Sequence, residues 1–225
     1  MTIKLSATGL MNFFSDLKRE TCLGYLKEYF LGFEPRLDRG KPPRADSGTF
    51  FEVYSDLANP NIFDANDIAA VSCLSIEFRG GHVVSSLKHL EEDFKKLIAD
   101  IPSRDEKIWD ADKEVFAKDK PLWKLYDELS NLRGISTVTA SKLLASKRPH
   151  LIPIQDKHVS ALFGIDIEKT KGDPWWDPWW ETMQSKEVRK WLSDIQKEAK
   201  VPGKSLLRIA DVILWKHAQV LKGKK

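Results

Sequence analysis

An all-α fold follows from three features of the sequence. Apolar residues recur at spacings of three and four, no stretch alternates at strand period, and prolines and glycines gather between the helical stretches. Taken in order, residues 1–33 read as helix through Leu10, Phe13, Phe14, Leu17, Tyr25, Leu26, Tyr29 and Phe30. Residues 34–48 hold three prolines and two glycines among many charges, which predicts a loop or linker. Helix resumes from Phe50 to Leu57, and Asp64 or Asn66 is suited to cap a further one near Ile68 to Ile76. Residues 82–101 form an amphipathic helix stopped before Pro102, and Lys120 to Leu132 another, with Pro121 in its first turn. Ile135 to Ala145 follows after a tight turn. Val159 opens a short helix ending near Gly164, and 185–199 and 204–221 close the chain. Residues 166–225 are expected as a Trp-rich loop with C-terminal helices.

Composition sets outer limits. At 42% hydrophobic and 31% charged residues the chain resembles an ordinary globular protein. No window approaches the ~18 apolar residues that span a bilayer, so no membrane partner is expected. The first twenty residues carry no apolar stretch long enough for a signal peptide, and the expected compartment is the cytoplasm. Two cysteines, Cys22 and Cys73, are expected as reduced thiols, too few for a four-cysteine cluster or a structural zinc. No cofactor or metal is required by the side chains.

The net charge of +3 is too small to argue for nucleic acid, but its distribution is uneven. Between Ser141 and Ser160, Lys142, Lys147, Arg148 and Lys157 face Asp156 alone, a surplus equal to that of the whole chain. Such a cluster is either a basic face for a phosphate backbone or a solvated helix end. Immediately upstream, Leu132-Arg133-Gly134-Ile135-Ser136-Thr137-Val138-Thr139-Ala140 reads as a helix end, a glycine reversal and a new helix. The free N–H groups that start the new helix, with its dipole, suit a phosphate.

These residues resemble the helix-hairpin-helix superfamily of DNA glycosylases, whose hairpin runs roughly Leu-Pro-Gly-Val-Gly-x-x-Thr-Ala before a catalytic aspartate in Val-Asp-x-His-Val. Leu132, Gly134, Ile135, Thr139 and Ala140 match the first element, and Asp156-Lys157-His158-Val159, 22 residues beyond Gly134, the second. Arg133 stands where the family has proline and Ser136 where it has its second glycine. A second resemblance, over SKLLASKRPHLIPIQD and SLLRIADVILW, is to an uncharacterised bacterial family with a Lys-Arg-Pro-x-Leu-Ile-Pro core.

The first resemblance implies a monofunctional DNA glycosylase acting on double-stranded DNA with a flipped base. It also implies a two-lobed helical domain, residues 1–118 forming one wall of the cleft and 119–165, with the helix-hairpin-helix and catalytic segment, the other. Asp156 would stabilise positive charge on the sugar and orient or deprotonate water, unless it serves only as a helix cap. The lysine that gives some relatives a Schiff base is Val138 here, so water is the expected nucleophile and an abasic site the product. Gly134, Ser136, Thr137, Thr139, Lys142, Lys147, Arg148 and His158 are the expected DNA contacts. A monovalent cation could sit on the backbone carbonyls near Leu132 and Gly134.

For the base pocket the candidates are Trp175, Trp176 and Tyr54. The four tryptophans of the DPWWDPWW run either pin a loop to the core or stack on a displaced base. The expected substrate is a damaged or modified base, including a bulky hydroxymethylated or glucosylated cytosine of phage DNA, which points to repair or antiviral defence. The competing function is a non-catalytic DNA-binding or interaction module.

Overall fold

The computed structural model describes residues 3–31, 47–78, 81, 87–88, 91–167 and 175–223. Among them are eleven α-helices and no strand. They are α1 (Ala7–Leu17), α2 (Arg19–Leu31), α3 (Phe51–Leu57), α4 (Ala65–Cys73), α5 (Glu91–Ala99) and α6 (Pro121–Asn131). After the turn at 132–136 come α7 (Thr137–Lys147), α8 (Lys157–Leu162), α9 (Trp176–Met183), α10 (Lys186–Ala199) and α11 (Leu206–Gly223). Most of the linker expected at 34–48, part of the helix expected at 82–101 and the last two lysines lie outside the described residues.

Local chemistry accounts for the helix ends. Ser6, Asp64, Ser136, Asp156 and Ser185 each accept a backbone N–H from the first turn that follows them. Asp64 and Asp67 form a reciprocal capping box on α4. The single helix expected over 1–33 is two, because Lys18 takes a left-handed φ of 65° between α1 and α2. The Trp-rich run, expected as a loop, is helical from Trp176 onward. Trp176, Trp179 and Met183 fall on one buried face, and Pro178 sits in the first turn, where its missing N–H leaves no bond unmade.

Packing changes partners after α2. Helices α1 and α2 pack with the C-terminal α9, α10 and α11, whereas α3 and α4 pack with each other and with α7, α5 packs with α6, and α6 with α7; α8 lies against α11. One continuous apolar core joins both groups. Helix α7 is at its centre: every residue from Thr139 to Lys147 is buried, polar ones included.

The buried polar end of α7 is held by charge. Lys147 and Asp67 form an ion pair with both side chains fully buried, Ser146 donates to the same carboxylate, and Lys147 Nζ also donates to the Asn59 carbonyl at 2.7 Å. Burial raises the Asp67 carboxyl and lowers the Lys147 amine, and each charge opposes the shift of the other. Arg148 caps the helix and donates to the carbonyls of Pro60, Pro102 and Ile98, tying the α3–α4 loop and the end of α5 to α7. Asp67→Asn should therefore lower the unfolding free energy by about 3–5 kcal/mol, because it strands a buried ammonium. Asp67→Leu combined with Lys147→Met should recover most of that loss in urea denaturation.

Candidate functional site

The segment between α7 and α8 decides where Asp156 points. Leu151, Ile152 and Ile154 are buried, and Ser141 on α7 clasps the segment. Its hydroxyl donates to the Pro153 carbonyl at 3.3 Å and accepts the Gln155 N–H at 3.0 Å. Asp156 then caps α8 through Oδ1, which accepts the His158 N–H at 2.8 Å. Its other oxygen, Oδ2, lies 3.7 Å from Lys142 Nζ, one helical turn on from Val138 along α7. Capping thus uses one oxygen and leaves the second for the space beside it.

That space is a cavity of about 400 Å³. Val138 and Lys142 of α7, Asp156 with Lys157 and His158, the 73–76 turn after α4, Tyr29 of α2 and one face of α11 enclose it. Four residues along α11, namely Arg208, Asp211, Trp215 and Gln219, line it at spacings of three and four. Val138, just after the turn that leads into α7, and the first turn of α8 therefore border the same hollow. Gly134 makes that turn with φ 92°, and Gly134 and Ser136 are exposed, with Thr137 half-buried beside them. Leu132 ends α6, and its carbonyl accepts the Ile135 N–H at 3.0 Å.

The deep wall is built on Arg208. Its guanidinium donates to Glu52 at 2.7 Å, Asp211 at 2.6 Å, the Tyr29 hydroxyl at 2.6 Å and the Gly48 carbonyl at 3.0 Å. It also lies over the rings of Tyr29 and Phe51. Glycine is required at 48, since a Cβ there would fall 1.9 Å from the Tyr29 hydroxyl oxygen. Burial raises the Asp211 carboxyl to about 6, with Arg208 opposing the rise and Asp156 adding to it. Burial also takes the Tyr29 phenol to about 12. Burial lowers the Lys142 amine, against the pull of Asp156 and Asp211.

Several expected contacts are corrected. Lys147 and Arg148 form no basic face, because both are interior and committed to α7 anchoring, at 0% and 3% exposed. Thr139 is buried as well, and its hydroxyl shares a hydrogen bond with Ser136 inside the cap. Lys142 is an interior residue of the cavity wall, 4% exposed. Trp175 and Trp176 do not line the cavity. Trp175 packs edge-on to Phe163 and Trp179, and Trp176 against Trp123 and Tyr126. Tyr54 points outward at 37% exposed, and its neighbours Glu52, Ser55 and Asp56 border a smaller cavity of about 120 Å³ behind Arg208.

Arg208, Asp211 and Tyr29 escaped the sequence reading. The available signal was the charged pair at i and i+3 inside the apolar run LLRIADVIL, which only mutual pairing makes tolerable in a core.

A model of a family of unknown function, DUF6308, matches residues 23–218. The chain belongs to this family. No curated protein and no solved structure matches it significantly. The matched span of the DUF6308 family includes the turn at Gly134, Lys142, Asp156, Arg208 and Asp211, that is, the chemical groups of the cavity.

Two measurements check this geometry. Asp156→Asn should leave the unfolding free energy nearly unchanged and Asp156→Ala should cost about 1 kcal/mol, because asparagine caps as well as aspartate and alanine does not. The folded-state value of Asp211 lies above its ordinary one, so its proton stabilises the fold most below about pH 4, and that contribution is lost as pH rises through about 6. The denaturation midpoint of Asp211→Asn should lack this downward slope across pH 4–6.

Proposed function

We propose that this protein is a monofunctional DNA glycosylase, hydrolysing the bond between sugar and a damaged or modified base and leaving an abasic site. The observation that carries the reading is Asp156: a carboxylate fixed by a cap through one oxygen, with the other facing a cavity of about 400 Å³. A hollow of that size lies within the range of pockets that enclose small ligands, and a flipped base needs such a pocket. A carboxylate at its edge stabilises oxocarbenium-like charge on the sugar and directs water to it.

The turn at Gly134 supplies the second part of the reading, a helix-hairpin-helix grip on the DNA backbone. Its exposed Gly134 and Ser136 precede the unpaired N–H groups of α7, and Val138 of the first turn already borders the cavity. Backbone anchor and carboxylate are then held by one rigid unit, α7 with its clasped 151–156 segment, which sets the distance between phosphate and sugar. The arrangement of α3–α7 against α1, α2 and α8–α11, with the cavity between them, suits the two-lobed cleft of that superfamily. With Lys147 and Arg148 interior, the cations available to phosphates near the turn are the exposed Arg133 and Lys157. A bulky modified cytosine in phage DNA is the substrate favoured within this reading, and phage defence the corresponding role.

Incubation with plain duplexes and with phage DNA carrying hydroxymethylated or glucosylated cytosine, scored for free base and abasic sites, tests the proposal. Asp156→Asn should abolish release and leave DNA affinity intact or raised. DNA binding without release from any duplex would favour the non-catalytic module. Arg133→Glu with Lys157→Glu should weaken binding at low salt and flatten its salt dependence by a slope of about 2, one per lost phosphate contact.

A further inference from the structure

Hydrolysis of a bond to a neutral base has two charge problems, one on the sugar and one on the departing base. Asp156 addresses the first. A neutral pyrimidine or purine leaves as an anion unless a proton reaches it, so a donor on the cavity wall answers the second. Among the described side chains of the cavity, Arg208 is excluded: a guanidinium holds its proton too firmly, and four acceptors surround it. The Asp211 carboxylate accepts from Arg208, and the Tyr29 phenol, raised to about 12, is a reluctant acid.

We propose that Lys142 is the proton donor to the departing base, working as a pair with Asp156; the inference rests on the glycosylase reading. An ammonium carries three N–H donors, and among the described residues one is hydrogen-bonded, to the Leu74 carbonyl at 2.9 Å. Asp156 Oδ2, at 3.7 Å, is beyond direct hydrogen-bond reach, so the ammonium keeps hydrogens for a group entering the cavity. The groups that face it are Asp156 ahead of α8, with Asp211 and Arg208 from α11. Lys157 and His158 line the same cavity. Burial makes this amine readier to give up its proton than a surface lysine.

The step balances and resets itself. As the bond from sugar to base breaks, its electron pair goes to the base nitrogen and a proton passes there from Lys142 Nζ, leaving a neutral amine. Water bonds to the sugar carbon and its proton goes to the Asp156 carboxylate. The carboxylic acid then returns that proton to the amine through a water bridging the 3.7 Å between them, restoring both charges. No co-reactant beyond water is needed.

The test is single-turnover base release from duplexes that differ only in the leaving base, comparing neutral modified cytosines and uracils with cationic N7-methylguanine, which leaves without a proton. Lys142→Met should slow the neutral bases by about 100-fold and the cationic one by less than about threefold, the size expected for a lost general acid. Lys142→Arg, which keeps the charge and not the acidity, should behave like Lys142→Met. The basic limb of the rate–pH profile on neutral bases should vanish in both. Equal slowing of every base, or full rescue by arginine, overturns the proposal in favour of positioning or charge alone. A leaving-group signature carried by His158→Gln instead transfers the role to His158. A borohydride-trapped adduct at Lys142 overturns it in favour of attack by the amine. No release by the unaltered protein from any duplex is a different failure, that of the glycosylase reading itself.

Discussion

The buried ion pair between Lys147 and Asp67 is the constraint on which the remaining geometry hangs. Two charges out of water are tolerable only when paired and surrounded by further hydrogen bonds, and here Ser146, the Asn59 carbonyl and the α4 capping box supply them. That pairing admits one rotation of α7 and one depth. With Lys147 anchored, Ser141 and Lys142, a turn and a half earlier, are committed to their own partners: Ser141 to the 153–155 segment, Lys142 to the cavity. Asp156 follows from Ser141. A slip of α7 by one residue would break all of these at once.

The same logic recurs on the far wall, with different parts. Arg208 is buried among Glu52, Asp211, Tyr29 and Gly48, so α11, α3 and α2 meet at one guanidinium. The five donors of its planar head match several acceptors in one plane, which an ammonium cannot do. Two polar knots, one on α7 and one on α11, therefore fix helices whose register apolar packing alone would leave loosely set. The cavity beside Arg208 is lined by opposite charges, tolerable there because Lys142 and Arg208 each have a carboxylate beside them.

Helix positions were legible because they depend on neighbours in sequence. The spacings that predict α6, α10 and α11, the capping residue Asp64 and the glycine at 134 are local facts, and the structure keeps them. Where local signals conflicted, the reading went astray. Lys18 takes a left-handed conformation that no glycine announces, and the repeated Pro-Trp-Trp looked like a loop until three of its large rings found a core. Of the candidate site, Asp156 and the turn were legible from order and spacing. The burial of Lys147 and Arg148 was not, since a basic pair near a helix end is usually solvated and only partners distant in sequence, Asp67 for Lys147 and backbone carbonyls for Arg148, make it otherwise.

By itself the sequence determined the helical class, the turn at Gly134 and the presence of a carboxylate soon after it, because propensity, capping and spacing act over a few residues. Only the tertiary structure decided which charges are interior, that Tyr29, Arg208 and Asp211 share a hollow with Asp156, and that Trp175, Trp176, Trp179 and Trp180 do not. Those outcomes turn on partners as far as 179 residues apart, as Tyr29 and Arg208 are, and the free energy of a buried charge is set by whichever partner arrives there.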